Sequence, residues 1–250
     1  MKPAAAILRF ILSLVTLTGV PACAAETHVA VAANFSEPAK EIAAAFERAT
    51  GHMAVLAFGA SGAFYTQISQ GAPFELFLSA DAYRPALTEK EGLGVPGTRF
   101  TYAVGQLVLY STIPGLVDAK GKVLAIPGDS KLAIADPATA PYGVASIETM
   151  RKLGVYDALK PRIVTGSSIA QTYQFVTTGA APLGFVALSQ VINVTGGSRW
   201  LVPAALHSPI EQQAILLRKG AANPAARAFL KFLKSRAALA IVRRYGYGTR

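Results

Sequence analysis

Four junctions in the sequence place small or polar residues between a short apolar run and a helix-like segment: residues 33–36, 59–62, 136–143 and 165–168. The backbone N–H groups that begin a helix have no partner within that helix, and they attract anions. At the first junction, the apolar run is typical of a buried parallel strand, and Asn34 or Ser36 is predicted to cap the helix that follows. We therefore expect these junctions to supply uncharged donors for an anion.

Ser61 could carry a different chemistry, because it lies in a Gly-Ala-Ser-Gly turn. A serine in such a turn either stabilises the turn or acts as the nucleophile of a hydrolase, and a nucleophile needs a base. The only histidines are His28, His52 and His207. His28 and His52 fall at the starts of predicted strands, at the far end of the sheet from the junctions, so a catalytic triad is not favoured.

Three other polar side chains are interpreted structurally. Asp81 follows a predicted strand and is expected to form a cap or hinge-side hydrogen bond rather than to bind a ligand. Tyr245 and Tyr247 resemble a pair that could bind ferric iron, but no carboxylate or histidine lies near them in the sequence. We expect both tyrosines to pack against the protein.

The N-terminal segment has the pattern of a secretory signal peptide. Lys2 and Arg9 precede an apolar stretch at residues 10–20, and Ala22-Cys23-Ala24 provides small residues at cleavage spacing. We predict a signal peptide at residues 1–25 and a mature chain that starts near Glu26. Lipidation of the sole cysteine is a less favoured alternative, because Pro21 fits a lipoprotein signal poorly.

The composition indicates a globular protein with a basic surface. Hydrophobic residues make up 52% of the 250 residues and charged residues only 15%. Loss of Lys2 and Arg9 from the 24 basic residues leaves 22 against 14 acidic ones, a net charge of +8. The basic residues are scattered and no nucleic-acid-binding motif accompanies them, so we expect no nucleic acid partner and only mild steering of small anions.

The order of predicted elements gives an α/β fold with two units. Residues 29–78 alternate strand, helix, strand, helix, strand with short turns, which predicts a parallel sheet with right-handed crossovers. A similar unit spans residues 107–187, and Asn223-Pro224 is predicted to cap a closing helix. We predict lobe 1 at residues 26–103 and 200–250, lobe 2 at residues 104–199, and a ligand cleft between them.

Six ordered blocks of the sequence resemble the family of periplasmic molybdate-binding proteins. They are VAVAANF at 29–35, FGASG at 58–62, GAPFELFLSAD at 71–81, ADPATAPYG at 135–143, APLGFV at 181–186 and RYGY at 244–247. The resemblance covers essentially the whole mature chain. It implies a two-lobed periplasmic-binding-protein fold of type II, in which a mixed, mostly parallel sheet flanked by helices forms each lobe.

The resemblance also implies a set of uncharged ligands for molybdate or tungstate. The first lobe would provide Asn34, with Ala33 before it, and Ser61, and the second would provide Tyr142 and the backbone N–H of Ile169. Some family members carry a further tyrosine after the block at 181–186, where this chain has Ala187. Tyr142 would then act through either its hydroxyl or its backbone.

The role implied by the resemblance is that of a transport receptor. We expect a monomeric, non-enzymatic protein of the periplasm that has no cofactor and no directly coordinated metal. Its partners would be an ABC permease of the inner membrane and the cytoplasmic ATPase of that permease. Two alternatives remain open: a receptor for sulfate or another tetrahedral oxyanion, and a secreted serine hydrolase that uses Ser61.

Overall fold

The computed structural model describes residues 24–249, which form two five-stranded sheets flanked by helices. Residues 1–23 of the predicted signal peptide lie outside the described part. The strands are β1 Glu26–Ala32, β2 Met53–Gly59, β3 Leu76–Ser79, β4 Phe100–Gly105, β5 Leu107–Ser111, β6 Leu132–Ala135, β7 Ile163–Gly166, β8 Leu183–Ala187, β9 Ser198–Leu201 and β10 Ile210–Leu216. The helices are α1 Ser36–Thr50, α2 Ser61–Ser69, α3 Tyr83–Lys90, α4 Pro141–Lys152, α5 Tyr156–Leu159, α6 Ile169–Thr177, α7 Leu188–Val191, α8 Pro224–Phe232 and α9 Arg236–Arg244.

The two sheets are built on the same plan. Their strand orders are β2-β1-β3-β10-β4 and β7-β6-β8-β5-β9. In each order the first three strands pair in parallel, and the last two are joined antiparallel. The predicted α/β fold, with one mixed sheet flanked by helices in each lobe, is confirmed.

We call the first sheet with its helices the first lobe and the second sheet with its helices the second lobe. The chain crosses between them from Gly105 to Leu107, and again between Leu201 and Ile210. The predicted boundaries at 103/104 and 199/200 lie within two residues of the ends of β4 and β9. The assignment of these residues to two lobes that move as separate units stays a prediction.

The first lobe is organised around β1, which is buried on both faces. Val29 and Val31 face a core shared with α1, α8 and α9, whereas Ala30 faces the smaller core under α2. A strand covered by helices on both sides needs apolar residues at successive positions, and this explains the unbroken apolar run in the sequence. Its carboxyl end is thereby fixed where the first junction begins.

Three helix boundaries differ from the sequence predictions. The predicted side-chain cap on α1 is wrong: a 3₁₀ turn at Ala33–Phe35 precedes the helix, and neither Asn34 nor Ser36 caps it. Helix α4 begins at Pro141, inside the junction predicted at residues 136–143 rather than after it, which places Tyr142 in its first turn. The closing segment forms two helices, α8 and α9, and the predicted Asn223 cap on α8 is confirmed by its bond from the Ala225 N–H.

Among residues 24–249, no helix is both long enough and apolar enough to cross a membrane.

A substitution at Phe229, in α8, tests how much the packing of the C-terminal helices contributes to the stability of the first lobe. Its ring is fully buried and packs edge to face on Phe46, with ring centroids 5.1 Å apart. We expect Phe229→Ala to lower the free energy of unfolding by about 3–5 kcal/mol in urea denaturation followed by circular dichroism. Tyr83→Ala, at a residue that is 71% exposed, is the control and should change it by less than about 0.5 kcal/mol. Equal effects of the two substitutions would contradict this packing.

Candidate functional site

A small cavity lies between the two lobes, and none of the described residues that line it carries a charged side chain. The space unoccupied by protein atoms is about 200 Å³ when open solvent at its mouth is included, and the centre of a water-sized sphere can reach only about 10 Å³ of it. The first lobe lines it with residues that follow β1, β2 and β3, and the second lobe with the starts of α4 and α6. The lining residues are Ala32, Ala33, Asn34, Gly59, Ala60, Ser61, Ala80, Ala140, Pro141, Tyr142 and Ile169. All five residues of the predicted ligand set therefore meet at one cavity; their contact with a ligand stays a prediction.

Each of these residues lies at the beginning of a helical segment. Ala33 and Asn34 form the 3₁₀ turn that leads into α1, and Ser61 is the first residue of α2. Tyr142 is the second residue of α4, and Ile169 is the first of α6. The positive ends of four helical segments are thus directed at the same space.

The N–H groups farther along these helices are already bonded. In α6, the Gln171 N–H donates to the Ser168 hydroxyl, and the Thr172 N–H donates to the Ser168 carbonyl at 3.0 Å. In α4, the Gly143 N–H donates to the Ala140 carbonyl at 2.9 Å. The N–H groups of Tyr142 and Ile169 precede these groups in the two helices, and both residues line the cavity.

Ser61 is 1% exposed, and its oxygen accepts the Ala80 N–H at 2.9 Å. That bond holds the side chain in place and leaves the hydroxyl hydrogen for another acceptor. All three histidines are bonded elsewhere. His52 Nδ1 accepts from the Ala25 N–H, His207 Nδ1 contacts the Ser208 carbonyl, and His28 lies beside Glu26.

The Asn34 side chain is held in a buried network behind the cavity. Its amide nitrogen donates to Gln212 Oε1 and to the Tyr247 oxygen, both at 2.9 Å. Its main-chain carbonyl accepts the hydroxyls of Ser189 at 2.8 Å and Tyr247 at 2.7 Å. Both amide hydrogens of Asn34 are thus used within the protein, and its main-chain N–H is the donor that remains for a ligand.

The same network engages the hydroxyl of Tyr142. Gln212 Nε2 donates to the Tyr142 oxygen at 3.3 Å, and the Tyr102 hydroxyl donates to Gln212 Oε1 at 3.0 Å. Burial, with a smaller contribution from the neighbouring phenols, raises the pKa of Tyr102 and Tyr142 well above the ordinary value. Burial also raises the pKa of Tyr247. The three phenols therefore keep their protons and act as hydrogen-bond donors at neutral pH.

Gln212, Ser189 and Tyr102 were not identified from the sequence as part of the site, and Tyr247 was assigned only a packing role. Gln212 and Gln213 directly precede the apolar run at residues 214–217. Two amide side chains at the start of a predicted buried strand are the sequence signal that could have identified Gln212 as part of the site. Tyr245 and Tyr247 do not form a pair: the Tyr245 hydroxyl donates to Glu41. Among the described residues, no group of three or more His, Cys, Asp or Glu side chains could hold a metal ion.

Residues 27–248 match the family described as bacterial extracellular solute-binding protein. The chain is 59% identical to the molybdate-binding protein ModA of Rhodobacter capsulatus over 95% of this chain and 94% of that one. It is 53% identical to ModA of Azotobacter vinelandii over 92% of this chain and 94% of that one.

A solved structure, the periplasmic molybdate-binding protein of Azotobacter vinelandii, superposes with a TM-score of 0.87. That comparison has 41% sequence identity and covers 90% of this chain and 99% of the other. The family match spans both lobes and the cavity between them. The protein therefore belongs to the family of bacterial extracellular solute-binding proteins.

Proposed function

We propose that the protein binds molybdate, and also tungstate, in the cavity between its lobes and delivers it to an ABC importer. The observation that carries the proposal is the convergence of four helix beginnings on a cavity whose lining, in the described part of the chain, has no charged side chain. The near full-length relatives named as molybdate-binding proteins support the choice of anion. Export to the periplasm, a monomeric state and the permease and ATPase partners belong to the same proposal.

The proposed ligands are main-chain N–H groups and one hydroxyl. Asn34, Tyr142 and Ile169 each provide a main-chain N–H, and Ser61 provides both its N–H and its hydroxyl. We assign Tyr142 to the main chain because its N–H lies in the first turn of α4, whereas its phenol is hydrogen-bonded to Gln212 and Tyr247 in the buried network. Ala33 contributes by its small size and by its place at the start of the same 3₁₀ turn.

The energetics require several donors to act together. Removing a doubly charged anion from water costs far more than one helix terminus returns, which is about 0.3–1 kcal/mol, or up to about 2 when partly buried. A hydrogen bond to a charged group contributes about 1.5–3 kcal/mol. The five proposed bonds are together of the size needed for a dissociation constant below 1 μM, which corresponds to about −8 kcal/mol.

The donors also determine which anions are accepted. A fully deprotonated oxyanion needs only donors, whereas a protonated one such as hydrogen phosphate brings a hydrogen that needs an acceptor. Among the proposed ligands only the Ser61 oxygen can accept, and it already accepts the Ala80 N–H, so such an anion would leave its own hydrogen poorly paired in a buried site. Molybdate, tungstate and sulfate all satisfy this condition and differ in size.

We assign no catalytic activity to Ser61. Its oxygen accepts from a backbone N–H, and no histidine is bonded to it. A serine without a base to remove its proton is a weak nucleophile. In this position the hydroxyl serves as a donor to the anion.

Titration with four anions tests the proposed specificity. Isothermal calorimetry on the mature protein should give sub-micromolar binding of molybdate and tungstate. Sulfate should bind at least about a hundredfold more weakly because the lobes would have to close farther around a smaller ion, and phosphate should not bind. Strong binding of sulfate without binding of molybdate would assign the protein to the sulfate alternative.

Ser61→Ala tests the placement of the site. We expect a loss of molybdate affinity of about tenfold or more, because one charge-assisted hydrogen bond of about 1.5–3 kcal/mol is removed. Ser69→Ala, at the exposed end of the same helix, is the matched control and should bind as the native protein does. Native affinity in Ser61→Ala would place the anion elsewhere.

Binding should depend little on pH. Among residues 24–249, Tyr142 is the only residue lining the cavity whose side chain titrates, and its raised pKa keeps it neutral. We expect a molybdate affinity constant within about twofold from about pH 6 to pH 9. A titration midpoint near pH 6.5 would instead reveal a histidine at the site.

The raised tyrosine pKa values predict that the stability of the fold, unlike anion binding, depends on pH in the alkaline range. The unfolded chain releases phenolic protons above about pH 10, whereas the folded chain retains them. The contribution of these tyrosines to stability should therefore be constant below about pH 10 and fall as the pH rises further, which thermal melts in alkaline buffers would measure. Melting temperatures that stay level above that pH would contradict the burial of these phenols.

A further inference from the structure

We infer that Gly62 and Arg84 are positioning residues that determine how closely the two lobes approach and, through that distance, how long the anion stays bound. This inference rests on the proposed function. Both residues belong to the first lobe, and they bond two successive carbonyls of the second lobe, those of Ala138 and Thr139. We call these two hydrogen bonds the interlobe contact.

Arg84 is held in place by its own lobe before it reaches across. Its backbone N–H donates to Asp81 Oδ1 at 2.8 Å, and its Nη1 forms an ion pair with the same carboxylate. The side chains of Arg84 and Asp81 are each only 16% exposed. Nη2 then donates to the Ala138 carbonyl at 2.9 Å. Because the guanidinium is already oriented, little side-chain entropy is lost when the lobes meet.

Gly62 brings the two backbones into direct contact. Its N–H donates to the Thr139 carbonyl at 2.8 Å. A Cβ at this position would lie 2.8 Å from Thr139 Cα and 2.9 Å from Arg84 Nη2. There is thus room for a hydrogen atom at this point and none for a methyl group.

The backbone conformation of Gly62 does not itself require glycine. Gly62 is the second residue of α2 and is absent from the glycines with positive φ. Glycine within a helix costs about 0.5–1 kcal/mol relative to alanine. The close approach of the second lobe is therefore the structural reason for glycine at this position.

The interlobe contact lies beside the anion cavity. Gly62 follows Ser61, and Thr139 precedes Ala140 and Pro141, which line the cavity. The positive ends of α2 and α4 approach each other there, and the two carbonyls place partial negative charge close to both. The contact therefore fixes the distance between donors that come from opposite lobes.

A contact that forms only between closed lobes stabilises the bound state and contributes nothing when the lobes are apart. Its loss should then raise the rate of anion release and leave the rate of capture almost unchanged. The stability of the ligand-free protein should also be unaffected. A residue with a purely structural role would instead lower that stability.

Gly62→Ala is the first test, by stopped-flow fluorescence with molybdate and by thermal melting without ligand. We expect release at least about tenfold faster, capture within about twofold of native, and a ligand-free melting temperature that is equal or higher. The melting temperature should not fall, because alanine favours the helix and restricts the unfolded chain.

Arg84→Lys is the second test. A lysine cannot pair with Asp81 and bond the Ala138 carbonyl in the same fixed geometry, so release should again be faster. Arg99→Lys is the matched control, because Arg99 pairs with Glu89 and bonds Gln213 within the first lobe. The control should release molybdate at the native rate.

Native release rates in both Gly62→Ala and Arg84→Lys would overturn the inference, as would a loss of ligand-free stability large enough to account for the weaker binding. The native protein is measured in the same series. If it binds none of molybdate, tungstate and sulfate, the proposed function itself has failed; if it binds and the variants match it, only the inference has failed.

Discussion

The proposed function imposes one physical constraint: a doubly charged anion must lose its water in a cavity to which the described residues contribute no positive side chain. Helix beginnings meet this constraint because each has N–H groups that the helix cannot use. One helix would return too little free energy, so several have to reach the same point. Each lobe provides two of them, and this explains why the site lies between the lobes rather than within either one.

The fold supplies this convergence through the parallel parts of its two sheets. In a parallel arrangement the carboxyl ends of neighbouring strands meet at one edge, and the following helices begin there. The 3₁₀ turn after β1 and the start of α2 after β2 come from one sheet, and α4 and α6 come from the other. The antiparallel strands contribute differently, since β10 carries Gln212 into the buried network behind the cavity.

That network gives the site its rigidity. Asn34, Tyr142, Tyr102 and Tyr247 are linked through Gln212 and Ser189, and these residues come from both lobes and from the C-terminal segment. Because the phenols stay protonated and their oxygens also accept, each member can satisfy its neighbours without a charge. The cavity is thus surrounded by fixed dipoles whose orientation is set by the protein and not by the ligand.

The sequence was sufficient to predict features that depend on local patterns. The apolar run before Asn34 and the cap at Asn223 follow from strand burial and capping chemistry, and the structure contains them. The junction residues could also be located. The bonding of their side chains could not, because Gln212 and Tyr247 reach Asn34 from 178 and 213 residues away. The close approach of Gly62 to Thr139 is equally non-local.

The most direct measurement is a crystal structure of the mature protein with molybdate, with data collected at the molybdenum absorption edge. The account predicts a single anomalous peak in the cavity between the lobes. The oxygens of the anion should lie about 2.7–3.2 Å from the main-chain nitrogens of Asn34, Ser61, Tyr142 and Ile169 and from the Ser61 hydroxyl. A peak outside this cavity, or an anion held by lysine or arginine side chains, would contradict it.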